Sequence, residues 1–344
     1  MATFKPLEQL LYEACAQGRI EEVELLLARS VYPNCETNDG QTPFWIACQN
    51  GRTEVVKVLL NDERVLVNKA NHNSQTPFWI ACEKGHVEVV NLLLNDERID
   101  VNKANSDDQT PFWIACYNGR TEVVKLLLND ENIDINKADK GNTTPLYIAC
   151  EKGHVEIVKL LLNDERIDVN KATISDDQTP FWIACYRKHI EVVKLLLSDE
   201  RIDINKNNRG GTRQNGIAFP QGTPFLIACR SEVTEIAQHI LASGKEVDLN
   251  EKDNEGNTII DVVRNQIDQI EQQQQQQQHR QQYRQQHQHQ QHQPRMKTFE
   301  YDPAPYEARK KKTIETIELL ESFKRNPTET RTKLRNQLGL PGKI

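Results

Sequence analysis

The chain of 344 residues contains no apolar run approaching the roughly 20 residues that a membrane-spanning helix needs. Its opening stretch, Met1 to Glu8, lacks the apolar core of a secretory signal. There is no C-x2-C pair at zinc-site spacing, no phosphate-binding glycine loop, no nucleophile elbow and no clustered His/carboxylate set. These absences leave no membrane span, metal centre or reaction to name. The expectation is a non-enzymatic protein without cofactor, placed in the cytoplasm with the nucleus as a second possibility. Tryptophan is scarce too, four residues in all, and their placement proves informative.

What the chain has is repetition. The phrase Thr42-Pro43-Phe44-Trp45-Ile46-Ala47-Cys48 recurs in the same register from Thr76, Thr110, Thr144, Thr179 and Thr223, at steps of 34, 34, 34, 35 and 44 residues. A fixed period of this size means stacked supersecondary repeats rather than one globular core. Six of the eight cysteines, Cys48, Cys82, Cys116, Cys150, Cys185 and Cys229, share one register, and Cys15 aligns with them. Equivalent residues in stacked helices lie roughly 8–10 Å apart. A disulfide needs about 7 Å or less between Cα atoms. These thiols are therefore expected to be buried and reduced, with only Cys35 outside the register.

Within one repeat, Thr76 suits an N-cap and Pro77 the first helical position, where its missing N–H is harmless. A first helix over Phe78 to Lys84 ends at Gly85, and a second follows from His86 to Leu94 with Val89, Val90, Leu93 and Leu94 on one face. Helices this short need neighbours to bury their faces. The polar remainder, Asn95 to Gln109, predicts a finger-like loop, with an extra residue near Asn95–Ile99 that should be harmless.

The phrase T-P-x-x-x-A-C-x-x-G-H-x-E-V-V-x-L-L-L resembles the ankyrin repeat over about Leu7 to Ile270. The period also suits tetratricopeptide repeats, but their W-x2-L-G-x2-Y spacing is absent. The resemblance implies an all-α repeat solenoid of helix-turn-helix units with finger-like β-hairpin loops. The divisions expected are a repeat domain at 1–271, with an amino-terminal cap at 7–41, repeats starting at 42, 76, 110, 144, 179 and 223, and a half-cap at 258–271. After it come a disordered Gln/His-rich segment at 272–293, a proline-containing linker at 294–308 and a basic helical tail at 309–344. The repeat domain is expected to fold without the tail.

Ankyrin repeats usually place a histidine where this chain has Trp45, Trp79, Trp113, Tyr147, Trp182 and Leu226, so all four tryptophans occupy one register. Four residues on, the same helix face carries Gln49, Glu83, Tyr117, Glu151, Tyr186 and Arg230. The resemblance implies that these positions face a protein-binding groove. Two readings of the aromatic register stay open: rings packed beneath the next finger, or contact with a partner. His72, Asn73, Ser106, Asp107, Lys140 and Ile174 are the expected finger tips and a second candidate surface. Lys188 stands where the preceding repeats end the first helix with glycine, which forces a side chain into the left-handed region. The loop from Asn207 to Gly222 is about ten residues longer than its equivalents, as a functional insertion or as drift.

Gln272 onward carries fourteen Lys/Arg against seven Asp/Glu, so the body before it holds about −14 of the net −7 and the tail about +7. The Gln-rich stretch is too polar for a core and predicts disorder or a frayed continuation of the preceding helix. In the tail, Ile314, Ile317, Leu320 and Phe323 predict one apolar helix face, and Asn326-Pro327-Thr328-Glu329 a second helix start. So small a hairpin needs a partner or self-association. The expected partner of the whole chain is a protein of unknown identity. Nucleic acid contact by the basic tail is the rival reading, disfavoured because the body is acidic and no nucleic-acid-binding module is present.

Overall fold

The computed structural model describes residues 6–208, 211–212, 218–219, 221–231, 233–253, 255–288 and 302–341. It falls into two compact units, Met1–Ser175 and Asp176–Ile344. The first unit holds five helix pairs: α1 Pro6–Gln17 with α2 Ile20–Ala28, α3 Pro43–Gln49 with α4 Thr53–Leu60, α5 Pro77–Lys84 with α6 Val87–Leu94, α7 Pro111–Tyr117 with α8 Thr121–Leu128, and α9 Pro145–Lys152 with α10 Val155–Leu162. Each first helix packs on the first helix of the next repeat, and each second helix on the next second helix. The second unit contains α11 Pro180–Arg187, α12 Ile190–Ser198, α13 Pro224–Arg230, α14 Thr234–Ala242, α15 Ile259–Gln288, α16 Ala304–Arg325 and α17 Pro327–Gln337.

Each repeat starts the same way for the same reason. The hydroxyl oxygen of Thr42, Thr76, Thr110, Thr144 or Thr179 accepts from the backbone N–H three residues on at 3.1 Å, with proline next in line. Behind this cap the side chains from Phe44 to Cys48 and their equivalents are buried, as are all eight cysteines, none of them disulfide-bonded. Burial, and secondarily the nearby Glu8 carboxylate, pushes the Cys35 thiol up to about 12, so it stays protonated.

Two polar ladders tie neighbouring repeats of the first unit together. Asn34 donates to the Arg64 carbonyl at 2.8 Å and accepts from Leu66 N at 2.8 Å; Asn68, Asn102 and Asn136 donate to the carbonyls of Arg98, Asn132 and Arg166 in the same way. The stretch holding the extra residue is not idle. Asp96 accepts from Arg98 Nε and Nη2, and the same Nη2 also donates to the Leu60 carbonyl at 2.8 Å. Asp62–Arg64 and Asp164–Arg166 repeat the clamp onto Leu27 and Leu128, capping the end of the preceding second helix.

The hydrogen bonds from Arg64, Arg98 and Arg201 hold the carboxyls of Asp62, Asp96 and Asp199 below their ordinary range. Because the folded-state pKa is depressed, this stabilisation is complete above about pH 4, the ordinary aspartate value, and fades as pH falls through the folded value. Thermal melts between neutral and strongly acidic pH should show the midpoint falling below about pH 4. Asp96→Asn should flatten that acid limb, and an unchanged limb would remove the clamp from the account.

The fingers differ from the hairpins expected. In the first unit each tip is a tight turn closed by two backbone bonds, such as Asn71 N to Gln75 O at 3.0 Å and Ser74 N to Asn71 O at 2.9 Å, with no strand pairing. The Asn71 carboxamide oxygen takes the N–H groups of Asn73 and Gln75, the donors that a ladder would have used. Ser74, Asp108 and Asn142 close these turns at φ of 59°, 62° and 58°, the register that Gly40 fills in the first finger. Among the described residues, strands occur only in the long loop, where β1 Gly211–Thr212 pairs antiparallel with β2 Ala218–Phe219 and Gly222 N donates to the Asn208 side chain at 2.8 Å. Much of that loop's basic, glycine-rich stretch lies outside the described residues.

The tail departs furthest from expectation. No break occurs at 271–272, since α15 runs unbroken to Gln288, the second of the two forms expected for the Gln-rich stretch. Residues 289–301, with most of the expected linker, lie outside the described residues, and α16 starts at Ala304 rather than Arg309. α16 lies along α15 and touches α14, while α17 packs on α14. Lys310 pairs with Glu271 and Arg264 with Glu321, both at 2.5 Å; Arg331 and Arg335 donate to the carbonyls of Leu241 and Ala242 at 3.2 and 2.9 Å, ending α14.

The buried face of α16 is Thr313, Thr316, Leu320 and Phe323, with Ile314 exposed. A threonine can present its methyl to a neighbour while its hydroxyl bonds the carbonyl four residues back, as Thr313 and Thr316 do with Arg309 and Lys312. Hydrophobicity alone therefore mis-phased the helix. Of the face expected to drive self-association, Leu320 and Phe323 are buried within the second unit while Ile314 stays exposed.

Candidate functional site

The tryptophan register is a packing device. Trp45, Trp79, Trp113 and Trp182 are at most 3% exposed, and each indole N–H donates to a backbone carbonyl of the finger that opens the next repeat. The acceptors are Gln75 at 2.9 Å, Gln109 at 2.9 Å, Thr143 at 2.7 Å and Gly222 at 2.9 Å. Tyr147 is buried in the same position. An indole supplies what this site asks for, a large apolar body with one donor at its rim. Of the two readings of this register, burial this deep supports packing beneath the next finger.

The residues four positions on behave differently. Tyr117 stacks on Trp113 with ring centroids 5.4 Å apart and planes 17° from parallel, yet remains 37% exposed. The Lys152 ammonium sits 4.4 Å from the Tyr117 ring centroid, close enough for a cation–π contact. Gln49, Glu83 and Glu151 are half-buried in the same register of the first unit, and Glu83 pairs with Lys84 at 2.9 Å. In the second unit Tyr186 stacks on Trp182 at 5.2 Å and 14°. Arg230 is held by the Gln221 carbonyl at 3.1 Å and the Asp253 carboxylate at 3.2 Å. This register thus contains an aromatic platform, a carboxamide and several charges, presented rather than sealed.

The finger tips divide by atom. Their backbones are knitted together: His72 N donates to Asp39 O at 2.9 Å, Ser106 N to Asn73 O at 3.1 Å, Lys140 N to Asp107 O at 3.2 Å and Ile174 N to Gly141 O at 3.2 Å. Their side chains point outward, and His72, Asn73, Ser106, Asp107, Lys140 and Ile174 are all exposed. Ile174 reaches 72%, the most exposed large apolar residue among those described. The opposite, second-helix surface carries short ion pairs, Glu54–Lys57 at 2.6 Å and Glu122–Lys125 at 2.7 Å, as a solvated face should.

One set of side chains escaped sequence reasoning. From α4 onward in the first unit, the residue opening each second helix reaches back to the end of the preceding repeat's first helix. Arg52 donates to Ala16 O at 3.0 Å and Arg120 to Glu83 O at 2.8 Å; His86 Nε2 lies 2.8 Å from Gln49 O and His154 Nε2 3.1 Å from Tyr117 O. The signal was available: a Gly-Arg or Gly-His pair stands at the same place in each of these repeats.

A family model described as ankyrin repeats (three copies) matches residues 10–105, 64–139 and 112–208. No curated protein matches the chain. Among the described residues no helix is long and apolar enough to cross a membrane. The matched span, 10–208, exceeds half of the chain and coincides with the capped helix pairs and knitted fingers described above, so this chain belongs to the ankyrin-repeat family.

Proposed function

We propose that the chain is a non-enzymatic scaffold or adaptor that holds a protein partner against the row Gln49, Glu83, Tyr117, Glu151 and the outward side chains of the finger tips, with Tyr186 and Arg230 as the matching positions of the second unit. Ankyrin repeats are in general protein-interaction modules. Nearly all the inward-facing chemistry of each repeat is spent on its neighbours, and these two registers are where the repeats differ. Tyr117 carries the reading: an exposed ring, fixed from behind by Trp113, is the kind of pre-ordered aromatic that anchors interfaces. The cytoplasm, or the nucleus, is the compartment proposed. The nucleic-acid reading loses support because Lys310, Arg331 and Arg335 of the basic tail are engaged within the second unit.

The test places a photo-crosslinking amino acid at position 83, at 117, or at 122 on the ion-paired face, in the full chain incubated with extract of its source cells. Discrete protein adducts at 83 and 117 and none at 122 are expected. Tyr117→Ala should abolish the adduct at 83 while shifting stability by no more than about 1 kcal/mol. Adducts confined to 122 would move the interface to the other face.

A further inference from the structure

In the first unit a glycine and the next repeat's arginine or histidine form a matched pair. A Cβ added at Gly18, Gly51, Gly85 or Gly119 would lie 3.1, 2.7, 2.9 or 2.8 Å from the side chain of Arg52, His86, Arg120 or His154. The glycine thus serves twice, adopting positive φ and letting the next repeat's cap residue lie across it. In the second unit both members change together. Lys188 occupies the glycine position at φ 64°, and the residue opening α14 is Val233, which has no donor. With no arginine or histidine crossing at that point, Lys188 has room for its side chain.

A cavity of about 490 Å³ opens at this register, lined by Tyr186, Arg187, Lys188, Ile227, Arg230 and Ser231. That volume falls within the roughly 300–1,000 Å³ of ligand pockets. Three of the six lining residues are cationic and none is acidic, on a body that carries about −14 before Gln272. Asp253 offsets Arg230 and Arg187 is engaged by contacts of its own, but the Lys188 ammonium has no ion pair among the described residues. Tyr186, fixed on Trp182 and 5.8 Å from the Arg187 guanidinium, gives the cavity an aromatic wall, and buried Ile227 adds an apolar one.

We propose that this cavity is a docking pocket for an acidic side chain of a protein partner, its carboxylate set against Lys188 and its methylenes against Tyr186. The proposal rests on the protein-scaffold reading and adds what that reading lacks, a chemical preference in the partner. An acidic segment would be repelled by most of the body and accepted here, so the pocket also fixes where such a segment lands.

The test uses the full chain and two fluorescein-labelled decapeptides, one alternating glutamate with leucine and one alternating lysine with leucine, followed by fluorescence anisotropy. The glutamate peptide should bind, more weakly as salt rises, and the lysine peptide should not. The double variant Lys188→Gly/Val233→Arg restores the pair found in the other repeats and refills the space. It should melt no lower than the parent while weakening glutamate-peptide binding by about tenfold or more, the worth of a lost charge-assisted hydrogen bond. Lys188→Gly alone, which keeps the cavity and removes one cation, should give a smaller loss and guards against misfolding of the double variant. Equal binding by parent and refilled chain, no binding by the parent, or equal binding of both peptides would overturn the pocket. If crosslinks form at 117 but the glutamate peptide does not bind, the pocket falls and the scaffold stands. Glutamate-peptide binding without crosslinks at 83 or 117 keeps the pocket and removes the Tyr117 row as the interface.

Discussion

Trp113→Ala should lower the unfolding free energy by about 3–5 kcal/mol, the range for truncating a buried aromatic to alanine. The indole is 3% exposed and fills the space beneath the finger that opens the next repeat. Its loss also strips Tyr117 of the ring it stacks on and leaves the Thr143 carbonyl without the 2.7 Å N–H bond. Trp113→Phe separates these effects, since it keeps most of the apolar body but removes the donor. That change should cost about 1–3 kcal/mol, the penalty for a buried acceptor left unpaired. Urea denaturation followed by tryptophan-independent circular dichroism gives both numbers. A loss below about 1 kcal/mol for Trp113→Ala would mean that the finger is held by its backbone bonds and not by the indole.

Deleting residues 302–344 should destabilise the second unit by several kcal/mol, although the sequence suggested that the repeats fold without the tail. Leu320, Phe323 and Leu334 are each at most 5% exposed, and burying each such side chain contributes about 1.5–3 kcal/mol, as an upper figure. Removing them uncovers one face of α14 and α15 and takes the arginine donors from the last carbonyls of α14. The two exposed ion pairs add little, of the order of 0–1 kcal/mol each. Circular dichroism should show helix lost beyond the deleted segment, and amide exchange over residues 234–271 should speed up while residues 76–163 keep their protection. An unchanged midpoint with unchanged exchange over 234–271 would show that the tail rests on the last repeat without supporting it.

The sequence by itself determined the repeat, its period and its punctuation. Thr-Pro at each start, glycine at most first-helix ends and the valine-leucine face of each second helix are local signals, set by backbone geometry and by a polarity pattern that repeats six times. The left-handed residue at Lys188 was legible for the same reason: a break in a regular register forces one conformation on whatever replaces it.

Only the tertiary structure decided which face of each residue meets which neighbour. The tryptophans and the tyrosines four positions on looked alike as groove aromatics, yet one set is sealed by a carbonyl some 30 residues away while the other is left partly open. The Asp-x-Arg clamps, the Asn ladder and the Arg/His caps were visible as letters, but their acceptors are backbone carbonyls of an adjacent repeat, which carry no side-chain signature. The tail illustrates the same limit in reverse: its helices were foreseen, but their docking rests on two threonines, a phenylalanine and two arginines that find helix-end carbonyls. Local patterns fix local structure because their energies act within a turn or two of chain. Exposure and pairing are set by contacts between segments far apart in sequence, and those exist only once the repeats are stacked.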